Sequence, residues 1–397
     1  MATANPLPGI DSTPAQSGAR LLVLLGALPQ EQLESVVAHL TACVAPDDLL
    51  IATGDETAKN SFPALRIIPA ETRSSWAITA ADYRNVFQLA QENNAGAILM
   101  LGPESGSLGL TGLRGLASAV LDGTADLAVP CYDLPPRAGL VNSAILYPLS
   151  RALFASPARF PLAIDLGLSM RMAERLATVA QRFTNLNQSG ALLWPVNEAV
   201  AAGLSIQELG AGARALPQPA EPDLNTILPL IAGSLFSDIE AKAAFWQRAR
   251  PLPPLRNHPF RSPVSAADAA PEIAPMIQAF RLAYTNLQEI WSLVLPPNAL
   301  LGLKRLSMTD GAAFRMPETL WARIVFDFLL AYRLRTINRG HLLGALIPLY
   351  LAWVTGHINA TANGVSPERH IEAVAAAFES EKPYIVSRWR WPDRFNP

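Results

Sequence analysis

The N-terminal half of the chain alternates short apolar runs with longer amphipathic stretches, and this alternation constrains the fold more than any other feature. The apolar runs have strand length and are rich in Val, Ile and Leu, which is typical of strands buried on both faces. They occupy residues 20–28, 48–53, 65–70, 96–101 and 125–132. The stretches between them carry apolar residues at helical spacing, at 29–44, 81–94 and 110–123.

Strands and helices in this order predict right-handed crossovers and a mainly parallel sheet. Ligands of such sheets bind in the crevice beyond the carboxyl ends of the strands. We therefore predict an α/β domain over residues 20–215, with ligand-binding loops at 26–29, 53–57 and 102–105.

Beyond residue 215 the pattern is helical, which predicts a mainly helical C-terminal domain over 216–397 with a proline-rich linker at 250–272. The uncharged run 342–355 is shorter than the roughly 18 apolar residues of a membrane-spanning helix and contains Pro348, so we predict a buried helix and no membrane span. Residues 1–19 lack lysine and arginine and do not complete a signal peptide, so we predict a disordered tail.

The composition of the chain limits the classes of molecule that it is expected to bind. The 397 residues include 31 basic and 33 acidic side chains, a net charge of −2, so no basic field predicts a nucleic-acid partner. Cys43 and Cys131 stand far apart without a metal-binding or disulfide pattern, which favours a cytoplasmic protein. The large apolar faces of the C-terminal helices predict a homo-oligomer.

Residues 125–175 carry the most specific pattern. Pro130 and Tyr132 are followed by Asn142 with "YPLSRALF" at 147–154, and then by "FPLAIDLGLS" at 160–169, which contains Asp165. This segment resembles the GT-A-fold glycosyltransferases that include glucosylglycerate and mannosylglycerate synthase-like enzymes. Their counterparts are Pro-x-Tyr, Thr-Asn-x-x-x-Tyr-Pro-Leu-x-Arg-Ala-Leu and Gln-Pro-x-Gly-Gly-Asp-Phe-Gly. The resemblance implies a GT-A-like domain that binds a nucleotide-diphosphate sugar and transfers the sugar to a small-molecule or glycan acceptor.

The departures from that family fall on its metal and its chemistry. The Asp-x-Asp loop that holds magnesium or manganese reads Gly102-Pro103-Glu104 here, and the Gly-Lys-Gly stretch reads Thr79-Ala80-Ala81. The family's Gly-Ile-Asp-x-Trp matches 190–194, with Leu192 at the aspartate position. Its Leu-Gly-x-Lys-x-His matches 209–214, with Gly212 at the lysine and Arg214 at the histidine position. These replacements together indicate impaired or metal-independent catalysis, with at most a weak Mg or Mn site at Glu104.

The resemblance and the loop positions give three groups of candidate residues, each with an ordinary structural alternative. The alternatives are turns at Gly-Asp pairs, solvated loop carboxylates, hydrogen bonds within loops, and a surface arginine. A guanidinium at Arg214 could replace part of the charge of a metal ion at the diphosphate. The candidates for nucleotide-sugar binding are Gly26, Gly54, Asp55, Glu104 and Arg214; those for substrate binding are Tyr132, Asn142 and Asp165; the catalytic candidate is Asp165; and the metal candidate is Glu104.

Two other functions compete with a transferase. "SGSLG" at 105–109 resembles a nucleophile elbow, with Ser107 as nucleophile and His258 or His370 as base, although several loop residues separate Ser107 from the preceding strand. The second alternative is a catalytically inactive homologue that binds ligands or acts as a scaffold, which the fold does not exclude. His341 and His357 are interpreted as core or interface histidines.

Overall fold

A computed structural model describes residues 18–26, 28–55, 57–71, 76–217, 223–250 and 272–391. The predicted N-terminal tail lies outside the described residues except for Gly18 and Ala19. The predicted linker lies outside them except for its two end residues, Arg250 and Glu272.

The described residues contain one sheet of seven strands in the order β3-β2-β1-β4-β6-β5-β7. Four neighbouring pairs are parallel, and β6 runs antiparallel to both β4 and β5. The strands are β1 (Leu21–Leu25), β2 (Leu49–Thr53), β3 (Arg66–Pro69), β4 (Ala97–Leu101), β5 (Leu127–Asp133), β6 (Asp165–Ser169) and β7 (Ile206–Ala213).

The five predicted strands are confirmed as β1 to β5, whereas β6 and β7 were not predicted. β6 contains Asp165 and Gly167 within five residues, which interrupts the apolar run that marks a buried strand. β7 lies at the edge of the sheet and is partly exposed, so it needs no continuous apolar sequence.

Helices surround the sheet and make up the C-terminal region. Those within the α/β part are α1 (Gln30–Thr41), α2 (Ala58–Ser61), α3 (Ala80–Glu92), α4 (Leu110–Leu121), α5 (Tyr147–Phe154), α6 (Met170–Asn185) and α7 (Pro195–Ala202). Those that follow are α8 (Leu224–Ala241), α9 (Ala243–Trp246), α10 (Ala274–Ser292), α11 (Pro297–Ser307), α12 (Glu318–Leu334), α13 (Arg339–Ala362), α14 (Pro367–Ser380) and α15 (Lys382–Arg390). The predicted fold class, a mainly parallel α/β sheet followed by a helical C-terminal region, is confirmed.

The two regions share one apolar core. Leu149 and Phe154 of α5, together with Trp194, pack into the same buried cluster as α8, α10, α12 and α13. The Arg151 guanidinium of α5 also lies 3.1 Å from the Glu379 carboxylate of α14. The division into domains at residue 215 stays a prediction, because this core continues across it.

α13 contains the uncharged run 342–355. Among the described helices, it is the one that is long and apolar enough to cross a membrane. Its most apolar window is 78% buried inside the structure, as in the core helix of a folded protein. Packing therefore accounts for its composition, and Pro348 lies within it.

α4 approaches the sheet closely at Gly167 of β6. A Cβ atom at Gly167 would lie 2.6 Å from the Leu116 carbonyl oxygen, which is backbone and cannot move aside without shifting α4. Gly210 of β7 has open space at the same position. Only the first glycine is therefore required for packing.

We predict that Gly167→Ala lowers the free energy of unfolding by roughly 1–3 kcal/mol, because overpacking displaces α4 from the sheet. The matched control, Gly210→Ala, is expected to change it by less than about 0.5 kcal/mol. Urea unfolding of both variants tests this prediction. Equal stability of the two variants would show that α4 moves freely over β6.

Candidate functional site

A crevice opens at the carboxyl ends of β2 and β3, beside the first turn of α3. Its volume is about 730 Å³, and its lining includes Gly54, Asp55, Lys59, Glu71 and Arg84. Two of the predicted nucleotide-sugar residues, Gly54 and Asp55, therefore lie at one cavity. This is the sheet edge at which α/β proteins bind ligands.

One carboxylate oxygen of Asp55 holds a turn, and the other is available to a ligand. Its Oδ1 atom accepts hydrogen bonds from the Thr57 amide at 2.9 Å and the Thr57 hydroxyl at 2.7 Å. Its Oδ2 atom has no hydrogen-bond partner within the part of the chain that the structure describes. Asp55 is thus held by its own loop and can still accept a hydrogen bond from a ligand.

Two cations line the same crevice. Lys59 and Arg84 are exposed, and neither forms an ion pair within the described residues. Both were missed in the sequence, because single basic residues on exposed helix faces carry no pattern. Their charges are available to an anionic ligand.

The start of α3 is closed by protein groups. The amides of Ala80 and Ala81 donate to the carbonyls of Ala191 and Ser189, at 2.9 and 3.0 Å. Asp82 accepts from the Thr79 amide at 2.8 Å and thereby caps the helix. The segment that replaces the family's Gly-Lys-Gly stretch, Thr79-Ala80-Ala81, therefore fixes α3 against the 188–192 loop.

A buried ion pair stands behind the loop that follows β4. The Arg214 Nε atom donates to Asp165 Oδ2 at 2.9 Å, and both side chains are fully buried. The same carboxylate accepts from the Tyr132 hydroxyl at 2.7 Å and from the Gly102 amide at 3.1 Å. Burial raises the pKa of Tyr132 well above its ordinary value, so this hydroxyl is a neutral donor.

Arg214 also binds the backbone of that loop. Its Nη2 atom donates to the Pro103 carbonyl at 2.7 Å, and its Nη1 atom donates to the carbonyls of Glu104 and Ala215. A further bond at 3.2 Å reaches the Ser107 hydroxyl. A guanidinium has five N–H donors, and these bonds together with those to Asp165 occupy all of them.

The roles predicted for three of these residues stay predictions. They are contact with a diphosphate for Arg214, catalysis for Asp165 and substrate binding for Tyr132. In the arrangement described, the donors of Arg214 and both oxygens of Asp165 are turned toward the protein. Direct contact of either residue with a ligand would require these hydrogen bonds to break. The sequence identified all three residues but not their contact with one another.

The loop geometry does not fit an acidic metal-binding pair. A Cβ atom at Gly102 would lie 2.6 Å from the Ile164 carbonyl oxygen, so an aspartate cannot replace this glycine without a backbone shift. Glu104 has a positive φ of 61°, and its side chain is exposed. Within the described residues, no group of three or more His, Cys, Asp and Glu side chains could hold a metal ion. The weak metal site at Glu104 stays a prediction without further support.

Gly26 lies where β1 meets the same loop. Its amide donates to the Leu101 carbonyl at 3.3 Å, and a Cβ atom there would lie 3.5 Å from the Pro103 nitrogen. Gly26, Gly102 and Pro103 line a small cavity of about 20 Å³. This cavity is too small for a nucleotide.

Ser107 does not form a catalytic triad in the described structure. It ends a short 3₁₀ turn, Ser105–Ser107, and its hydroxyl donates to the Glu104 carbonyl at 2.7 Å. No histidine of the described residues forms a hydrogen bond with it. His370 instead pairs with His357 at 2.7 Å between their Nδ1 atoms. His258 lies outside the described residues. The serine-hydrolase alternative gains no support.

Asn142 fixes a loop near the end of β5. Its amide nitrogen donates to the Arg159 carbonyl at 3.0 Å, and the Arg159 amide donates to the Glu208 carboxylate. The Arg159 guanidinium lies over the Tyr147 ring at 4.8 Å. Burial raises the pKa of Glu208 to about 7. The predicted substrate contact of Asn142 stays a prediction, and Arg159 and Glu208 were not identified from the sequence.

Leu192 is buried and takes part in an isolated β-bridge with Thr79. This position, which the resemblance gives to an aspartate, therefore presents an apolar side chain to the core. It supplies no proton donor.

In comparisons with known proteins, only solved structures match this chain. No protein-family model matches the chain, and no curated protein sequence matches it. Glucosyl-3-phosphoglycerate synthase from Mycobacterium tuberculosis, solved with phosphoglyceric acid, is similar over 56% of this chain and 79% of its own, with 14% identity and a TM-score of 0.35. The same enzyme with Mn²⁺, UDP-glucose and phosphoglyceric acid is similar over 61% and 90%, with 14% identity and a TM-score of 0.36.

A structure described as a mycobacterial protein matches over 56% of this chain and 76% of its own, at 15% identity and a TM-score of 0.36. TM-scores of this size do not establish a common function.

We predict that Arg214→Met destabilises the protein by about 3–5 kcal/mol, because it leaves the Asp165 carboxylate buried without its cation. The double variant Arg214→Met/Asp165→Leu is expected to recover a large part of this loss, since no buried charge remains. Urea unfolding of both variants and of Asp165→Leu alone gives the coupling energy. Additive effects of the two single changes would show that the pair does not act as a unit.

The raised pKa of Glu208 makes the stability of the protein depend on pH. Its pKa rises from 4.5 to about 7 on folding, so the folded protein holds a proton that the unfolded chain releases. Its contribution to stability is present below about pH 4.5 and is lost as the pH rises to about 7. We predict that Glu208→Gln removes this decline, because the amide oxygen still accepts from Arg159 and carries no charge. Thermal unfolding between pH 4.5 and 8 tests this, with Glu174→Gln on the exposed face of α6 expected to keep the wild-type dependence.

Proposed function

We propose that this chain is a glycosyltransferase-like protein that binds a nucleotide-diphosphate sugar in the crevice beside Asp55. Transfer to a small-molecule or glycan acceptor is then slow and independent of divalent metal. The observation that carries the proposal is the buried Arg214–Asp165 pair behind the loop after β4, where the sequence resemblance places a metal site. We also propose a cytoplasmic, oligomeric protein, in line with its cysteine usage and apolar helix faces.

The chemistry of the crevice supports a nucleotide. The Asp55 Oδ2 atom, which has no partner among the residues that the structure describes, can accept a hydrogen bond from a base N–H or a ribose hydroxyl. The lining carries two cations, Lys59 and Arg84, and two carboxylates, Asp55 and Glu71, so the attraction for a diphosphate is local to the two cations. The crevice volume of about 730 Å³ lies within the range of small-molecule sites.

The residues at the loop after β4 support a reaction without a metal ion. A side chain at residue 102 would collide with the Ile164 carbonyl, and Arg214, which the sequence resemblance aligns with the histidine ligand, is bonded to Asp165. Arg214 supplies a fixed charge, but Asp165 neutralises it, so the net stabilisation of a leaving diphosphate is small. Losing a metal's charge stabilisation, several kcal/mol, corresponds to several powers of ten in rate.

A catalytically inactive homologue that binds nucleotide sugars is the second candidate. Two observations favour it. The Asp165 carboxylate has no exposed oxygen, and Leu192, which the sequence resemblance aligns with the family's candidate acid/base or acceptor-binding aspartate, is apolar and buried. It shares the crevice with the first candidate. The two candidates differ only in turnover.

We predict saturable binding of at least one of UDP-, GDP- and ADP-sugars, measured by calorimetry. Asp55→Asn is expected to weaken it by roughly tenfold, because the amide replaces a charged acceptor worth about 1.5–3 kcal/mol. Asp122→Asn at the end of α4 is the matched control and should bind as the wild type does. Absence of binding by all three sugar nucleotides would overturn the proposal.

Metal independence is tested on the same samples. Adding manganese or a chelator is expected to change neither the affinity nor any measured hydrolysis or transfer. A strong manganese requirement that survives Glu104→Ala would place the metal elsewhere and contradict the proposed reaction. Binding without turnover in either condition selects the inactive homologue.

A further inference from the structure

A second large cavity lies between the α/β part and the helical region. This interhelical cleft has a volume of about 870 Å³, with α6 and α7 on one side and α8, α12 and α13 on the other. The 188–194 segment separates it from the crevice. Ala81 lines the crevice and its amide donates to the Ser189 carbonyl, whereas Gly190 and Ala191 line the cleft. The cleft is therefore a separate site.

The middle of the interhelical cleft is apolar. Its walls include Val179 of α6, Leu193, Leu230 of α8 and Leu343 of α13. Leu230 is 47% exposed, so part of this wall is accessible to a ligand. Cavities of this size with apolar walls bind small molecules that have apolar surface to bury. The walls therefore suit an alkyl chain.

One end of the cleft holds charges that satisfy one another. The Lys242 ammonium lies 2.9 Å from the Glu198 carboxylate and also pairs with Asp238. The Arg175 guanidinium contacts the same Glu198 carboxylate at 2.6 Å. Two cations and two carboxylates thus form one network at this end, which gives a charged ligand attraction and repulsion together.

Arg182 brings a further positive charge to the cleft. Four cations and two carboxylates line the cleft. One of these cations, Arg339, lies 2.9 Å from Glu240, which is outside the lining. The Arg182 guanidinium has neither an ion pair nor a hydrogen bond within the part of the chain that the structure describes. With Glu240 included, four cations face three carboxylates, so the excess positive charge lies at Arg182.

Arg182 is also separated from the carboxylates of the network. It follows Arg175 by seven residues on the same helix, which places it about 10 Å farther along the axis of α6. That distance is close to the Debye length, roughly 8–10 Å at physiological salt. Residues 175–197 contain no aspartate or glutamate, and the neighbouring wall is formed by Phe183 and Gln188. An anion at Arg182 is therefore attracted with little opposing repulsion.

We propose that the interhelical cleft binds a single-chain amphiphile with one negative charge, of the fatty-acid class. Its carboxylate pairs with the Arg182 guanidinium, whose planar fork matches two carboxylate oxygens. Its alkyl chain lies along the wall formed by Val179, Leu230 and Leu343. The proposal is independent of the nucleotide-sugar site.

The probe is octanoate, titrated into the full chain and followed by calorimetry and tryptophan fluorescence. Trp194 lines the cleft and its indole nitrogen donates to the Ser234 hydroxyl at 3.0 Å, so its emission should respond. We expect saturable binding of one octanoate per chain. Octyl β-D-glucoside and octyltrimethylammonium have the same chain with a neutral and a cationic head. Each is expected to bind about tenfold more weakly or worse, with all probes below their critical micelle concentrations.

Two variants separate the head from the chain. Arg182→Gln should weaken octanoate binding by about tenfold and leave octyl glucoside binding unchanged, because only the anionic head uses the guanidinium. Arg114→Gln, on the exposed face of α4 and outside the cleft, is its matched control. Leu230→Gln should weaken both ligands several-fold, whereas Leu282→Gln, at a residue that is 63% exposed and outside the cleft, should weaken neither.

The role of Arg182 has an ordinary alternative, because a cation in the last turn stabilises the carbonyl end of a helix. Thermal unfolding of each variant measures that contribution and verifies that the variant is folded. A lower melting temperature of Arg182→Gln with unchanged octanoate affinity would assign the residue to the end of α6 and overturn the proposal.

Three further results would overturn it. They are the absence of saturable octanoate binding, equal or tighter binding of octyl glucoside or octyltrimethylammonium, and binding of acetate as tight as that of octanoate, which would reveal an ion site without a chain. Failure of the sugar nucleotides to bind, with octanoate binding intact, would overturn only the proposed function of the crevice.

Discussion

The buried ion pair between Arg214 and Asp165 is the interaction on which the candidate site depends. It joins the residue after β7 to the first residue of β6, and through Tyr132 it reaches β5. The guanidinium also binds two carbonyls of the loop after β4. Burying two charges carries a large desolvation penalty, which is offset only when every donor and acceptor is satisfied. Here that condition is met, so the pair fixes four parts of the sheet edge.

The sheet edge is thereby divided into an open part and a closed part. Beside β2 and β3, Asp55, Lys59 and Arg84 line an accessible crevice with groups available to a ligand. Beside β4 and β6, the polar groups bind one another. For the proposed function, the open part of the edge therefore suits nucleotide binding better than the closed part suits chemistry at a diphosphate.

The sequence predicted the central strands because residues such as those of β1 and β4 are buried on both faces and form continuous apolar runs. It missed β6, where Asp165 and Gly167 serve the ion pair and the contact with α4 and so break the apolar pattern. It also identified Tyr132, Asp165 and Arg214 one by one. Their mutual contact was not predictable, because it arises from an antiparallel β6 inserted between β4 and β5, two strands that are consecutive along the chain. In addition, most partners of Arg214 are backbone carbonyls, which any residue supplies.

The close contact at Gly102 limits which residues this loop can carry. A side chain there would collide with the Ile164 backbone, and the neighbouring space is filled by the Arg214 guanidinium. Replacement of Gly102 by aspartate would thus displace a backbone segment before the new carboxylate could bind an ion. An acidic pair at residues 102 and 104 would therefore need compensating changes around Ile164 and Arg214, so substitutions at these positions are coupled to one another.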